Sequence, residues 1–423
     1  MDSYLERISD KVLKRSLKGH GAVLIEGPKW CGKTTSAIKH CNSKLFLSNI
    51  NQYMKAKALL DIDVRQVLKG EPPLLIDEWQ FIPELWDSIR FEIDMRQSVG
   101  QFILTGSTIP FDKSQLHHSG TGRIDKLQMR PMSLFESKDS TGEVSLSDLF
   151  CQKQITADDT HTLNEIAFLI CRGGWPTTIF QDPEIALHTA FSYIDSVASS
   201  DISSVAGVPN NKLRLMRIFK SYARNIATQA PIETIRQDVM NQGESTFSQT
   251  ALYSYINSLN NLFVIEDTEA WNPNFRSKVA IRNKPTRYFV DPSIATAALE
   301  MGPNDLMNDM RTFGLIFENL CVRDLRVYSQ ELGGVVQHYR DNSGLECDCV
   351  LHCLNGEYAL IEVKVGGEKA IEEGAKNLLK LRDKIKDSKI KEPAFMMVLC
   401  AVSSYAIRRS DGVYVVPIGA LKP

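Results

Sequence analysis

At 423 residues the chain is too long for one compact core, which predicts two to four domains. Its 49 Lys and Arg against 51 Asp and Glu leave a formal net charge of −2, so a global electrostatic footprint for nucleic acid is excluded and any such surface must be local. The hydrophobic (43%) and charged (24%) fractions are those of a soluble globular protein.

The first fifteen residues are charged and amphipathic, with Leu5, Ile8, Val12 and Leu13 at helical spacing, and lack the apolar core of a signal peptide. The longest apolar run, residues 394–402, reads as a buried strand and is too short to cross a bilayer. A cytoplasmic chain with no membrane partner is expected. Nine scattered cysteines suit free thiols in a reducing compartment. The densest group, Cys347, Cys349 and Cys353, is expected on one face of a strand as small buried hydrophobes, with Asp348 and His352 on the other face.

Residues 1–136 alternate apolar strands with helices, predicting an α/β domain with a parallel sheet covered on both faces. The strands read as 22–26, 45–48, 73–77, 102–106 and 124–129. Between the first strand and a helix over 34–41 lies Gly27-Pro28-Lys29-Trp30-Cys31-Gly32-Lys33-Thr34, followed by Thr35. Strand, glycine-bearing loop and helix in this order form a phosphate-binding loop. Its backbone N–H groups turn toward phosphate oxygens, Lys33 reaches the β- and γ-phosphates of ATP, and the Thr34 hydroxyl ligates Mg²⁺. The strand Leu74-Leu75-Ile76 runs into Asp77 and Glu78, which suits Asp77 as a second Mg²⁺ ligand and Glu78 as the group that polarises the attacking water. The strand 102–104 ends in Thr105-Gly106-Ser107, and either hydroxyl could sense the γ-phosphate.

Residues 137–209 read as a helical lid behind a polar stretch at 137–147, interrupted by Gly173-Gly174-Trp175-Pro176. Residues 210–300 hold eleven Lys and Arg in 212–290 against six Asp and Glu, a local positive excess. A helix over 231–240, a second over 248–262 capped by Ser248, and a strand pair (264–270 and 286–290) follow one another. Arg276, Lys278, Arg282 and Lys284 lie in the connection. Helix, helix and two-stranded wing form a winged-helix pattern, used either to engage DNA or only for packing. The second helix offers Gln249, Tyr253, Ser254 and Asn257 to a groove, and no arginine.

Residues 301–423 return to α/β, with strands at 335–340, 347–353, 358–363, 394–400 and 413–416 and a long charged helix at 368–387. A hairpin at Asn355-Gly356 brings Asp348 beside a strand bearing Glu362 and Lys364 on one face. Two carboxylates and a lysine on adjacent strands suit Mg²⁺-dependent phosphodiester cleavage, with Asp348 and Glu362 as metal ligands and Lys364 positioning the nucleophile.

The strings GPKWCGKTT, LLIDEWQFIPELWDSIR, FILTGST and GRIDKLQMRPMSLFE, with the Gly173–Pro176 turn, resemble a large bacterial and archaeal family of AAA-type ATPases that end in a restriction-endonuclease-like domain. The resemblance implies an additional strand between the loop strand and the Asp77 strand, a winged helix in the middle, and a helix glutamate, Glu318, beside the acid and acid-x-Lys motif. It matches Gly122-Arg123 to an arginine that contacts the γ-phosphate of a neighbouring subunit, which makes Arg123 a candidate finger in a homo-oligomer, or else a surface ion pair; Arg130 is the weaker alternative. The expected whole is an ATPase (1–136), lid (137–209), winged helix (210–300) and endonuclease-like domain (301–423), with ATP and Mg²⁺ as cofactors and DNA as a candidate partner. The alternative is a nucleotide-switched scaffold or DNA-binding regulator whose C-terminal domain does not cut.

Overall fold

Apolar strands with helices between them must bury both sheet faces, and the first 130 residues do so. A computed structural model describes residues 4–60, 62–108, 120–202, 211–243, 246–272, 284–387 and 391–423. It begins with α1 (Ile8–Gly19), β1 (Ala22–Glu26), α2 (Lys33–His40), β2 (Ser43–Phe46), α3 (Ile50–Leu60) and α4 (Val64–Val67). Then come β3 (Leu74–Asp77), α5 (Leu85–Arg96), β4 (Phe102–Gly106) and β5 (Ile124–Gln128). The five strands are all parallel, in the order β2-β3-β4-β1-β5. Thus β4 is the additional strand between β1 and the Asp77 strand. Leu24, Ile76, Leu104 and Trp86 fill one face, and Leu13, Val23, Leu75 and Ile103 the other. Each such side chain removed from water contributes about 1.5–3 kcal/mol before entropy is counted. The strand expected over 45–48 begins two residues earlier, because its ladder with β3 starts at Ser43 opposite Leu74.

Residues 137–209, expected as a helical lid, are only partly helical. They hold β6 (Val144–Ser145), α6 (Leu146–Phe150), β7 (Thr156–Asp158), α7 (Leu163–Arg172) and α8 (Pro183–Ser196). Thr162 and Glu165 cap the start of α7 reciprocally, each side chain accepting from the other's backbone N–H. The two short strands pair far along the chain, β6 with β14 and β7 with β12.

The middle of the chain supplies α9 (Lys212–Arg224), α10 (Ile232–Asn241), α11 (Gln249–Asn261) and α12 (Pro292–Ala298). Ser248 caps α11 by accepting from Ala251 N. The expected strand pair is reduced to isolated antiparallel bridges, Ile265 with Phe289 and Thr268 with Thr286. Arg276, Lys278 and Arg282 lie outside the described residues. Tyr253, Ser254 and Asn257 face solvent.

The remainder is α13 (Pro303–Asn308), α14 (Met310–Tyr328), β8 (Val335–Arg340), β9 (Glu346–His352), β10 (Tyr358–Lys364) and α15 (Glu368–Asp387). It closes with β11 (Phe395–Cys400), β12 (Tyr405–Arg408), β13 (Tyr414–Pro417) and β14 (Leu421–Lys422). The second sheet has the order β7-β12-β13-β11-β10-β9-β8, sandwiched between α14 and α15. One hydrophobic core runs through Leu134, Trp175, Tyr193, Phe219, Phe289, Phe317 and Ile361. Lid, middle and C-terminal segments are therefore packed as one body rather than strung as beads.

The cysteine expectation needs correction. Between Gln337–Val350 and Tyr339–Cys347 the β8–β9 register slips by one residue, a bulge on β9. Cys347 then joins the α15-side cluster with Val350, while Cys349 joins the α14-side core with Leu351. The three cysteines do not share a face, although all three are buried and free. On β10, Ile361 and Val363 face the α14-side core. Helix α15 covers the opposite face, so Glu362 is 2% exposed.

Candidate functional site

The loop between β1 and α2 is shaped by close backbone approach. A Cβ on Gly27 would stand 2.1 Å from the Met129 carbonyl oxygen, so only glycine fits there. Trp30 (φ 67°) takes the left-handed conformation, and its ring meets Tyr193 of α8 edge-on at 5.5 Å. The Lys33 ammonium is buried in the loop and donates to the carbonyls of Gly27 (2.8 Å) and Pro28 (2.7 Å). Thr34 Oγ1 donates to Asp77 Oδ1 at 2.7 Å. Thr105 Oγ1 donates to the same oxygen at 2.8 Å and accepts from Glu78 N at 3.0 Å. Glu78 (φ 56°) is also left-handed, and its Oε2 accepts from Ser107 Oγ (2.9 Å) and from Gln80. The ends of β3 and β4 are thus stitched together. Thr105 holds the Asp77 carboxylate and Ser107 the Glu78 carboxylate, so the two hydroxyls left open by the sequence have different contacts.

A cleft of about 740 Å³ opens in front of the loop. Lys29, Trp30, Gly32, Lys33, Thr34, Thr35 and Glu78 form one wall. Gln181, His188, Thr189 and Ser192 form the other. Lys29 reaches across to Asp201 at 2.6 Å. Beside it, a second cavity of about 380 Å³ lies between Gly32 and Thr35 and the largely apolar Tyr4, Leu5, Met132, Pro176 and Phe180. Cys31 is buried, with its thiol donating to the Met129 carbonyl.

Arg123 stays outside this cleft. It is exposed and paired with Asp94 on α5 at 2.8 Å. Arg130 is held by Glu266 of the middle segment. Arg7 is the residue that sequence reasoning missed. It is buried and donates to the Cys31 carbonyl (2.7 Å), the Arg130 carbonyl (2.7 Å) and Glu136 (3.0 Å). A basic residue in an amphipathic N-terminal helix is ordinarily solvated, so nothing local marked it.

A second constellation lies where β9 and β10 splay apart. The bulge lets Asp348 accept from Val363 N at 2.8 Å. Lys364 Nζ donates to Glu362 Oε2 at 2.6 Å and lies 3.8 Å from Asp348 Oδ2. Asn377 of α15 donates to Glu362 Oε1 at 2.7 Å. Glu318 of α14 accepts from the Tyr288 hydroxyl. Desolvation, and then the facing Asp348, push the Glu362 carboxyl up to about 8 against the pull of Lys364 and Asn377. Desolvation and Asp348 push Glu318 well above the carboxylate range. Burial also raises Asp348, opposed by Lys364 and the Val363 N–H. Three crowded carboxyl groups around one ammonium make a pocket that favours added positive charge.

Among the described residues, no group of three or more His, Cys, Asp and Glu side chains is arranged to hold a metal ion. The reason lies in the contacts just given: Glu318 is turned to Tyr288 and Glu362 to Lys364 and Asn377. The donor set is nevertheless all oxygen, as Mg²⁺ requires, and the Lys364 ammonium is the positive charge paired with both Asp348 and Glu362. The Thr34–Asp77 pair is likewise an all-oxygen donor set. Among the described residues, no helix is long and apolar enough to cross a membrane.

Comparison with known families divides the chain into three. Residues 19–138 match an AAA domain. With its parallel sheet and phosphate loop, this segment is a P-loop ATPase-like domain. Behind this AAA domain, residues 163–305 match a domain of unknown function (DUF8612) and residues 313–421 another (DUF4143). Among solved structures, the Walker-type ATPase PABY2304 of Pyrococcus abyssi is 14% identical, with a TM-score of 0.43 over 70% of this chain and 96% of its own. A DNA replication initiation factor is 15% identical, with a TM-score of 0.23 over 62% of this chain and 89% of its own. No curated protein matches the chain.

Proposed function

We propose that the AAA domain hydrolyses ATP in the cleft before Lys33, and that its nucleotide cycle governs a DNA-directed activity of the C-terminal half. The observation that carries the first part is the network Thr34–Asp77–Thr105 with Glu78–Ser107, which gathers the required groups at the ends of β3 and β4. On nucleotide entry the Lys33 ammonium exchanges the Gly27 and Pro28 carbonyls for phosphate oxygens. The nucleoside fits the second cavity, where Tyr4, Met132 and Phe180 offer apolar and aromatic surface. Thr34 and Asp77 would hold Mg²⁺, which neutralises charge on the β- and γ-phosphates when bound. Glu78 orients a water and accepts its proton as the oxygen attacks the γ-phosphorus and ADP leaves. Ser107 and Gln80 fix that carboxylate. Arg123 is free to serve a neighbouring copy only if it releases Asp94. Glu78→Gln is the test variant, keeping ATP binding and losing turnover.

The C-terminal constellation supports a second activity of metal-dependent phosphodiester cleavage. Asp348 and Glu362 would hold Mg²⁺, which supplies charge neutralisation and a more acidic water. Lys364, bound to both acids, stands ready to position that water, and Glu318 closes the group from α14. A winged-helix use of α9–α11 would bring DNA to this face, with Tyr253, Ser254 and Asn257 available to it. The test is cleavage of supercoiled plasmid with and without ATP. Glu362→Ala is expected to lower cleavage by about 100-fold or more. A wild type that neither cuts nor binds DNA at low salt favours the non-cleaving scaffold reading.

A further inference from the structure

Glu318 is the carboxylate of the C-terminal constellation that β9 and β10 do not supply, and the residue that aims it comes from elsewhere. The strap Arg287–Asp291 lies along α14 and is fastened to it at Tyr288, Phe289 and Asp291. The Tyr288 hydroxyl donates to Glu318 Oε1. Phe289 N donates to Asn319 Oδ1 (3.2 Å), and Asn319 Nδ2 donates back to the Phe289 carbonyl (2.9 Å). Asp291 Oδ2 accepts from Arg323 (2.9 Å), a guanidinium 1% exposed. Tyr288 belongs to the segment matched by one domain family and Glu318 to the segment matched by the next.

The far end of the strap continues toward the nucleotide cleft. Asp291 Oδ2 also accepts from Gly174 N at 3.0 Å, and the Gly174 carbonyl accepts from Met132 N at 2.6 Å. A Cβ at Gly174 would stand 2.1 Å from the Met132 carbonyl oxygen, so the Gly-Gly-Trp-Pro turn needs glycine to sit on this segment. Met132 and Pro176 line the cavity beside Gly32.

We infer that Tyr288 is a positioning residue for Glu318, so that the C-terminal carboxylate centre is completed from outside its own domain by a strap anchored at the turn beside the phosphate loop. The Tyr288 ring is fully buried, so packing fixes where its hydroxyl meets Glu318 Oε1 and thereby restrains that carboxylate. The inference rests on the proposal that this centre binds a divalent cation. It predicts that the isolated C-terminal segment would carry all four charged residues and still hold the cation poorly.

The test uses the full chain and Mn²⁺ as the probe, with plasmid cleavage as the readout. Glu362→Ala is measured first, and loss of cleavage there upholds the nuclease reading. Tyr288→Phe removes one hydroxyl. The expected result is an increase of about 10-fold in the Mn²⁺ concentration for half-maximal cleavage, with ATP turnover unchanged. Glu318→Gln, which removes the carboxylate itself, should give at least as large an increase, and the double variant no more than Glu318→Gln, since Tyr288 acts only through that carboxylate. An unchanged Mn²⁺ requirement in Tyr288→Phe, or additive losses in the double variant, overturns the inference and leaves the nuclease reading standing. If the wild type cuts nothing, Mn²⁺ binding by calorimetry replaces cleavage across the same five chains. Equal binding by wild type and Tyr288→Phe overturns the inference alone; no binding by the wild type overturns both.

Discussion

Thr105 carries two obligations with one hydroxyl. It donates to Asp77 and accepts from the backbone of Glu78, while its residue is fully buried at the end of β4. Thr105→Val keeps the shape and removes both bonds. The half-buried Glu78 N–H is then left without its partner, which costs about 1 kcal/mol, the low end of the penalty for an unsatisfied donor. The loss should appear as a lower melting temperature of the ATPase domain. It should also appear as slower turnover, because the left-handed turn at Glu78 is held by that bond. Normal turnover with a lowered melting temperature would assign Thr105 to stability alone.

At the scale of elements, Glu266 ties three segments together. Arg130 follows β5, Arg326 lies on α14, and both pair with the Glu266 carboxylate from the bridge after α11. Burial disfavours its charge, but Arg130 and Arg326 overcome this and lower it from 4.5 to about 2. Burial depresses Arg326 as well, yet a guanidinium stays protonated, so the titrating partner is Glu266. A carboxyl lowered in the folded state contributes stability that is fully present above its unfolded value and lost as pH falls through its folded value. Melting temperature should therefore fall between about pH 4.5 and about pH 2, and Glu266→Gln should flatten that part of the curve while lowering stability at pH 7. An acid limb of the same steepness in Glu266→Gln would contradict this.

Elements also mark what the sequence could and could not carry. The phosphate loop was legible because strand, glycines, lysine and helix are contiguous, and each has a local reason. Asp77 and β4 were legible from apolar runs that end in polar residues. Strand β7, Thr156–Asp158, was not, since three polar-flanked residues form a strand only when β12, some 250 residues away, supplies the ladder. The bulge at β9 broke the alternation that had grouped Cys347 with Cys349. Arg7 and Tyr288 were invisible for the same reason: each acts on a residue distant in sequence, and neither sits in a motif of its own.

Across the whole molecule, two bodies meet at the loop that follows β5. The parallel sheet has its own clusters, and the rest of the chain is held by one large core from Leu134 to Leu421 and a smaller cluster under α15. Lys29–Asp201, Trp30–Tyr193 and Arg7–Cys31 join the phosphate loop to the second body and to the N-terminal helix. Nucleotide entry that rearranges Lys33 and Trp30 would bear directly on α8 and the strap behind it. Such coupling has meaning only if the cleft turns ATP over. The most direct measurement is steady-state ATP hydrolysis by the wild-type chain and Glu78→Gln, beside ATP binding by each. The account predicts comparable binding and at least about a 100-fold loss of turnover in the variant, the magnitude of a lost general base. Turnover equal to that of the wild type would contradict it.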